Sequence, residues 1–315
     1  MKQNTQLLRL MTAAIAVFAA MPAWGQTLYN PEIAYTQLSN SGKLTYLYLA
    51  NRDGSHAVPV HSTPNRIVGI DYAPGGNRIA FTDTAGIKVL NYSASDIGIS
   101  VEPIVPLVVS GRLGEPDFSA DGSRLLYRDG NTAPGTFRAI NASGGTPVNL
   151  YVSPAGIAGR WLRSDSLGSA FAFGKTIHNG PNVPLTYEIW TVLLDANGQF
   201  ESAGPVLSTS TQAFKVIEDF DIAHTRDALI MSVGYPVGYP ITNNIVNLDL
   251  VSFEVTEKAG VGYRAHYSAD DSRIIYRTPT YTSSSESVQS LDLGTGDVTR
   301  LFTSSKGLGT TDARP

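Results

Sequence analysis

One short unit recurs along this chain, and no other feature restricts the fold as tightly. Residues 71–81 (DYAPGGNRIAF), 117–127 (DFSADGSRLLY) and 266–276 (HYSADDSRIIY) each join the end of an alternating strand to a tight polar turn and an apolar triplet. The residue after each turn serves as an anchor: Arg78, Arg124 and Arg273, the first two 46 apart. Weaker copies open at Ala170, another 46 on, and at Ala228, 58 further and 45 before Arg273. A backward step of 46 from Arg78 reaches Glu32, just ahead of Ile33-Ala34-Tyr35. Six anchors at a nearly constant spacing mean that one structural unit is used six times.

Each unit continues with further alternating strands and turn-bearing hairpins. Leu44 to Leu49 precedes Asn51-Arg-Asp-Gly54, Glu188 to Leu193 precedes Asp195-Ala-Asn-Gly198, and Val288 to Leu293 precedes Gly294-Thr-Gly-Asp297. Aromatic and β-branched residues alternating between Gly, Asn and Asp turns are strand and hairpin signals, and no long segment has helical periodicity. Four short strands per unit, six times over, predict an all-β, six-bladed β-propeller; a β-sandwich needs no constant period. Composition agrees: 30 Gly and 18 Pro supply the turns, and only 16% charged residues suits sheets buried on both faces.

Spacing also predicts how the ring closes. Gly25 lies only seven residues before Glu32, so the first blade has little inner strand of its own. The seventh anchor would fall just past the last residue, which puts Leu308 to Arg314 where another inner strand belongs. This tail is expected to pair with the blade containing Glu32, removing two exposed sheet edges.

The first residues read differently. Two cations in Met1 to Arg9, an apolar run from Leu10 to Met21 and Pro22-Ala23-Trp24-Gly25 have the layout of a secretory signal peptide, 1–25, followed by a propeller domain, 26–315. The apolar run is short of the roughly 20 residues that span a bilayer, so an exported, periplasmic and not membrane-spanning chain is expected. Without Cys, disulfides, thiol chemistry and Cys-ligated zinc are excluded. A net charge of -4 offers no excess of cations to a nucleic acid.

The repeated unit resembles the TolB-type propeller repeat, whose inner strand ends in a Ser-Pro-Asp-Gly-like turn followed by a basic residue and an apolar triplet. The likeness is close in 117–127 and 266–276, recognisable in 71–81, and degenerate at 163–173 and 221–231. It implies a setting in cell-envelope assemblies, but the repeat serves binding proteins and enzymes alike. TolB itself looks like a propeller behind a separate α/β domain, for which the expected 26–315 domain leaves no space.

Candidate site residues follow from strand alternation. Eight and six residues before the anchors stand Ile70 and Tyr72, Pro116 and Phe118, Leu162 and Ser164, Phe220 and Ile222, Ala265 and Tyr267, a nearly apolar face expected in the core. Nine and seven before them, on the opposite face near the channel, stand Gly69 and Asp71, Glu115 and Asp117, Trp161 and Arg163, Asp219 and Asp221, Arg264 and His266. Two readings of this polar set stand side by side: recognition of a peptide or polar small molecule, or bonding to neighbouring backbone and pairing of Asp71, Asp117 and Asp221 with Arg163 and Arg264. The turn residues Asp121-Gly122 and Asp270-Asp271 are read as backbone caps tolerant of positive φ. Two Pro- and aromatic-rich insertions, His178 to Pro184 and Tyr235 to Thr242, offer Tyr235 and Tyr239 as rim-loop candidates.

Signatures of catalysis are sparse. There is no Gly-x-Ser-x-Gly elbow and no sialidase-type Asp box. Of five His, His266 alone falls at a channel position; His56 and His61 flank an early hairpin, His178 lies in a loop and His224 in a turn. The expectation is therefore a non-catalytic binding or scaffold protein, with no cofactor or metal, monomeric outside complexes, engaging a protein or peptide of the cell envelope at the channel mouth and rim loops. The competing reading is a carbohydrate-active lyase or hydrolase using Asp117, Asp221 and His266; a third is a purely structural subunit.

Overall fold

The computed structural model describes residues 29–313 except 109–112, 120, 131–134, 154–157, 165–168, 178, 180–183, 224–226, 236–242, 269, 280–285 and 305–307, so the leader reading lies outside the described residues. Those described form strands and turns, with no helix among them.

Six antiparallel sheets follow one another along the chain. From inner to outer strand, the second to sixth blades begin with Gly69–Tyr72, Asp117–Phe118, Ala158–Ser164, Val216–Ile222 and Tyr263–Tyr267. Their second strands start at Arg78, Arg124, Ala170, Ala228 and Arg273, the residues marked by the repeat, and Glu32 is the second residue of the corresponding strand Pro31–Leu38. The inner strand of the first blade is Leu308–Ala313, paired antiparallel with Pro31–Leu38 through Ile33 with Ala313, Ala34 with Asp312 and Tyr35 with Thr311. The ring is thus a six-bladed propeller closed by its C-terminal strand, as the spacing predicts. Blade two carries one strand more than the repeat suggests, Val105–Val108, which pairs with Gly86–Ser95 beside Gly98–Val101.

The turns behave as their residues require. Gly122 and Asp271 take the left-handed conformation at φ +66° and +51°, and the preceding acids cap the turn: Asp121 accepts from Ser119 Oγ and Ser123 N, Asp270 from Ser268 Oγ and Ser272 N. Arg78 gains a role that the repeat alone does not disclose. Its Nη2 donates to the carbonyl of Gly122 in the next blade at 2.8 Å, and its guanidinium lies over the Phe118 ring.

The core consists of six layers between blades. In each, the residue two after an anchor meets those one and three after the next: Ala34 with Ile79 and Phe81, Ala80 with Leu125 and Tyr127, Leu126 with Phe171 and Phe173. Ala172 then meets Leu229 and Met231, Ile230 meets Ile274 and Tyr276, and Ile275 meets Ile33 and Tyr35 across the closure. Ala34, Ala80 and Ala172 set a small side chain against larger ones and let their blades approach; truncating one of the buried aromatics to Ala costs about 3–5 kcal/mol by analogy with other cores. Ile70, Tyr72, Phe118, Leu162, Phe220, Ala265 and Tyr267 from the inner strands are buried in these same layers, as alternation predicts.

Candidate functional site

The residue seven before each anchor shares a face with the residue two after it, because the two are paired: Asp71 with Ala80, Asp117 with Leu126, Arg163 with Ala172, Asp221 with Ile230, His266 with Ile275. That face looks toward the next blade. Asp71 accepts the N–H of Phe118 at 2.5 Å, Asp117 that of Ser164 at 2.5 Å, and Asp221 that of Tyr267 at 2.9 Å. In the second, third and fifth blades, an Asp thus holds the adjacent inner strand by its backbone. Asp312 pairs with Ala34 and so occupies the same register place in the first blade. Its spacing of 46 from His266 could have marked it in the sequence.

In the fourth blade the same place is held by a cation, which gathers the acids. Arg163 lies 3.7 Å from Glu115, 3.8 Å from Asp219 and 3.4 Å from Asp221, while its Nη1 donates to the carbonyl of Leu162 at 2.8 Å. Burial opposes its charge, but Asp219, Glu115, Asp221 and Asp117 together outweigh it and hold Arg163 protonated beyond the ordinary arginine range. Burial raises the Asp117 carboxyl to about 6, against the pull of Arg163 and Ser164. Burial, aided by repulsion from Glu115, raises Asp219 to about 7. His266, whose Nδ1 is 3.8 Å from Asp221, is pushed well below the usual imidazole range by burial and by Arg163 and Arg264, so it is neutral.

Glu115 and Arg264 come from the third and sixth blades, on opposite sides of the ring, and meet at 3.3 Å. Two backbone features make this reach. Gly69 leaves room for Glu115: a Cβ there would lie 2.7 Å from the Glu115 Cα, Cβ and Cγ. Arg264 sits at φ +53° within a register shift between Tyr263 and His266, a bulge that re-aims its side chain. Similar shifts occur between Arg160 and Leu162 and between Ile217 and Asp219, at the same level of the fourth and fifth blades.

Beside this pair lies a cavity of about 370 Å³, lined by Gly114, Glu115, Arg128, Phe137, Leu162, Tyr187, Val216, Ile217, Glu218 and Arg264. Of the sequence-derived candidates it gathers Glu115 and Arg264; Asp71, Asp117, Arg163, Asp219, Asp221 and His266 are absent from its lining. Arg128, Tyr187 and Glu218 were not expected there: Arg128 and Tyr187 lie near the ends of second and third strands, and Glu218 lies in the register shift between Ile217 and Asp219, where simple alternation fails. The same face receives the ends of Ala170–Ile177 and Ala228–Gly234, from which the two Pro- and aromatic-rich loops depart. Tyr235 packs edge-on against Phe214 at 6.3 Å, half-buried. Tyr239 and the side chain of Trp161 lie outside the described residues. Among the described residues no group of three or more His, Asp or Glu is placed to hold a metal ion, and no helix is long and apolar enough to cross a membrane.

Among solved structures, TolB from Acinetobacter baumannii matches with a TM-score of 0.69 at 16% identity, over 90% of this chain and 67% of that one. The fold is that of the TolB-type six-bladed propeller. The structure of a nidogen/laminin complex matches with a TM-score of 0.61 at 12% identity, over 90% of this chain and 98% of that one. Oligogalacturonate lyase in complex with manganese matches with a TM-score of 0.54 at 11% identity, over 87% of this chain and 73% of that one. No family model and no curated protein matches the chain. This propeller thus shares its architecture with binding proteins and enzymes, and its own side chains must argue for one or the other.

Proposed function

We propose that the chain is an exported, non-catalytic binding protein that receives a protein or peptide partner at the channel mouth, on the face where the inner strands begin. The observation that carries this reading is the cavity flanked by Glu115 and Arg264, which combines apolar side chains with two cations and two acids. The groups that a hydrolase or lyase would use are committed elsewhere. Asp117 is bonded to Ser164, Asp221 to the Tyr267 N–H, and His266 is buried. The TolB-type fold supports a cell-envelope, periplasmic setting for that partner. A carbohydrate-active lyase or hydrolase is the second reading, favoured by the raised Asp117 and Asp219 carboxyls, which suit a proton donor near neutral pH.

Affinity capture from envelope extract, with wild-type chain and Tyr187→Ala and Val216→Asn variants as bait, tests the proposal. A partner retained by the wild type and lost from both folded variants supports it. Stoichiometric metal in the purified protein, lost in Asp117→Ala and His266→Ala, would overturn the non-catalytic reading.

A further inference from the structure

The Glu115–Arg264 pair joins opposite blades and so bridges the channel, whereas the described pairs of Arg163 with Glu115, Asp219 and Asp221 and of His266 with Asp221 join neighbouring blades. Its two members are not equally committed. Glu115 has a second cation, Arg163, at 3.7 Å; Arg264, in its left-handed bulge, presents a side chain about twice as exposed as its partner's to a cavity walled by Phe137, Leu162, Tyr187 and Ile217.

This asymmetry decides which ligands the mouth favours. An incoming carboxylate that takes Glu115's place on Arg264 leaves both cations paired, because Glu115 keeps Arg163, beside Asp219 and Asp221, and Arg264 gains the ligand's acid. An incoming cation finds Glu218 on the wall, but it reaches Glu115 only by drawing that acid from Arg264, which leaves the half-buried guanidinium without its nearest acid, a disfavoured arrangement. A neutral ligand meets the apolar side chains of Phe137, Leu162 and Ile217 and the polar ones of Arg128 and Glu218, and gains no ion pair.

We propose that Arg264 is the anion-binding group of the channel mouth, and that a carboxylate carried by an extended peptide displaces Glu115 from it, opening the bridge across the channel. This rests on the peptide-binding reading above. The carboxylate is an acidic side chain or the peptide's C-terminus; the chemistry at Arg264 is the same.

The test uses pools of heptapeptides with Asp, Asn or Lys at the centre and no other charged side chain, each with a free or an amidated C-terminus, binding to the purified full chain at pH 7.5. An acid-bearing pool is expected to bind wild type at least about tenfold more tightly than the amidated Asn pool, and the Lys pool more weakly than either. Arg264→Gln should abolish the preference, Arg264→Lys should restore part of it, and Glu115→Gln should tighten acidic peptides by removing the internal competitor. Preference that survives amidation assigns the group to a side chain; preference seen only with free termini assigns it to the chain end. Equal binding of the Asp and Asn pools, with Tyr187→Ala still weakening both, would overturn the role of Arg264 and leave the peptide-binding reading intact. Absence of binding by every pool would overturn both.

Discussion

The Asp117 carboxylate accepts the backbone N–H of Ser164 at 2.5 Å and its hydroxyl at 2.6 Å, so one buried side chain ties the inner strand of the third blade to that of the fourth. Asp117→Ala removes both acceptors and leaves a buried N–H without its partner. The expected cost is about 2–3 kcal/mol, and Asp117→Asn, which keeps one carbonyl oxygen, should lose about half of that. Urea unfolding of the purified variants measures it; an Ala variant as stable as wild type would show that the tie contributes nothing.

Asp219 makes stability depend on alkali. Its carboxyl is raised from 3.8 to about 7, with burial the first cause and Glu115 the second. A carboxyl held above its unfolded value gives stability that is fully present below about pH 4 and lost as pH rises to about 7. Asp219→Asn removes that loss. Its melting temperature relative to wild type should therefore climb between pH 5 and pH 8, and a difference constant across that range would contradict the assignment.

His266 acts in the opposite sense. Its imidazole is held well below 6.5 by burial and by Arg163 and Arg264, with Asp221 the acid beside it. A base depressed in the folded state gives stability that is present above pH 6.5 and lost as pH falls. His266→Gln should thus melt closer to wild type at pH 5 than at pH 7.5. Thermal scans of both proteins at the two pH values distinguish this from a purely steric role, which would leave the gap unchanged.

How much of this arrangement was legible beforehand follows from what alternation and spacing encode. The anchors at Arg78, Arg124 and Arg273 located blades because each stands at a fixed distance from a turn whose chemistry is local. The faces of Asp71, Asp117 and Asp221 could likewise be assigned, since a strand has a period of two. Whether those acids would meet a ligand or a backbone N–H could not, because the partner lies on the next blade, 46 or 47 residues away. The bulge at Arg264 breaks the count that placed it, and Arg128 and Tyr187 join the cavity through blade curvature that no single strand records.

Gly69 holds one of the candidate channel positions, yet its part is to be empty. A methyl group there would press within 2.7 Å of the Glu115 backbone and side chain. Gly69→Ala is expected to destabilise the fold by about 1–3 kcal/mol through this overlap, a cost that only movement of Glu115 relieves. Because Glu115 also holds Arg264, the same substitution should alter ligand binding at the channel mouth, whereas an Ala at Gly204, a strand glycine that likewise lacks a positive φ and has nothing within 4 Å, serves as the control. Comparable losses at both positions would show that the approach of Glu115 is not what Gly69 accommodates.

Removal of residues 306–315 takes away Leu308–Ala313, the strand that closes the ring. Pro31–Leu38 then presents an unpaired edge toward the channel, and the layer in which Ile33 and Tyr35 meet Ile275 and Val288 loses the strand that flanks it. Blade one is left with three strands, Pro31–Leu38, Thr45–Asn51 and Val58–Thr63, and its edge becomes a template for another chain. The truncated protein is expected to melt at least about 10 °C lower than the full chain, since each kcal/mol is equivalent to about 2–4 °C in a protein of such size. Calorimetry gives the shift and size-exclusion chromatography the association that an open edge promotes; an unchanged melting temperature would mean that the seam between the first and sixth blades holds the ring without its last strand.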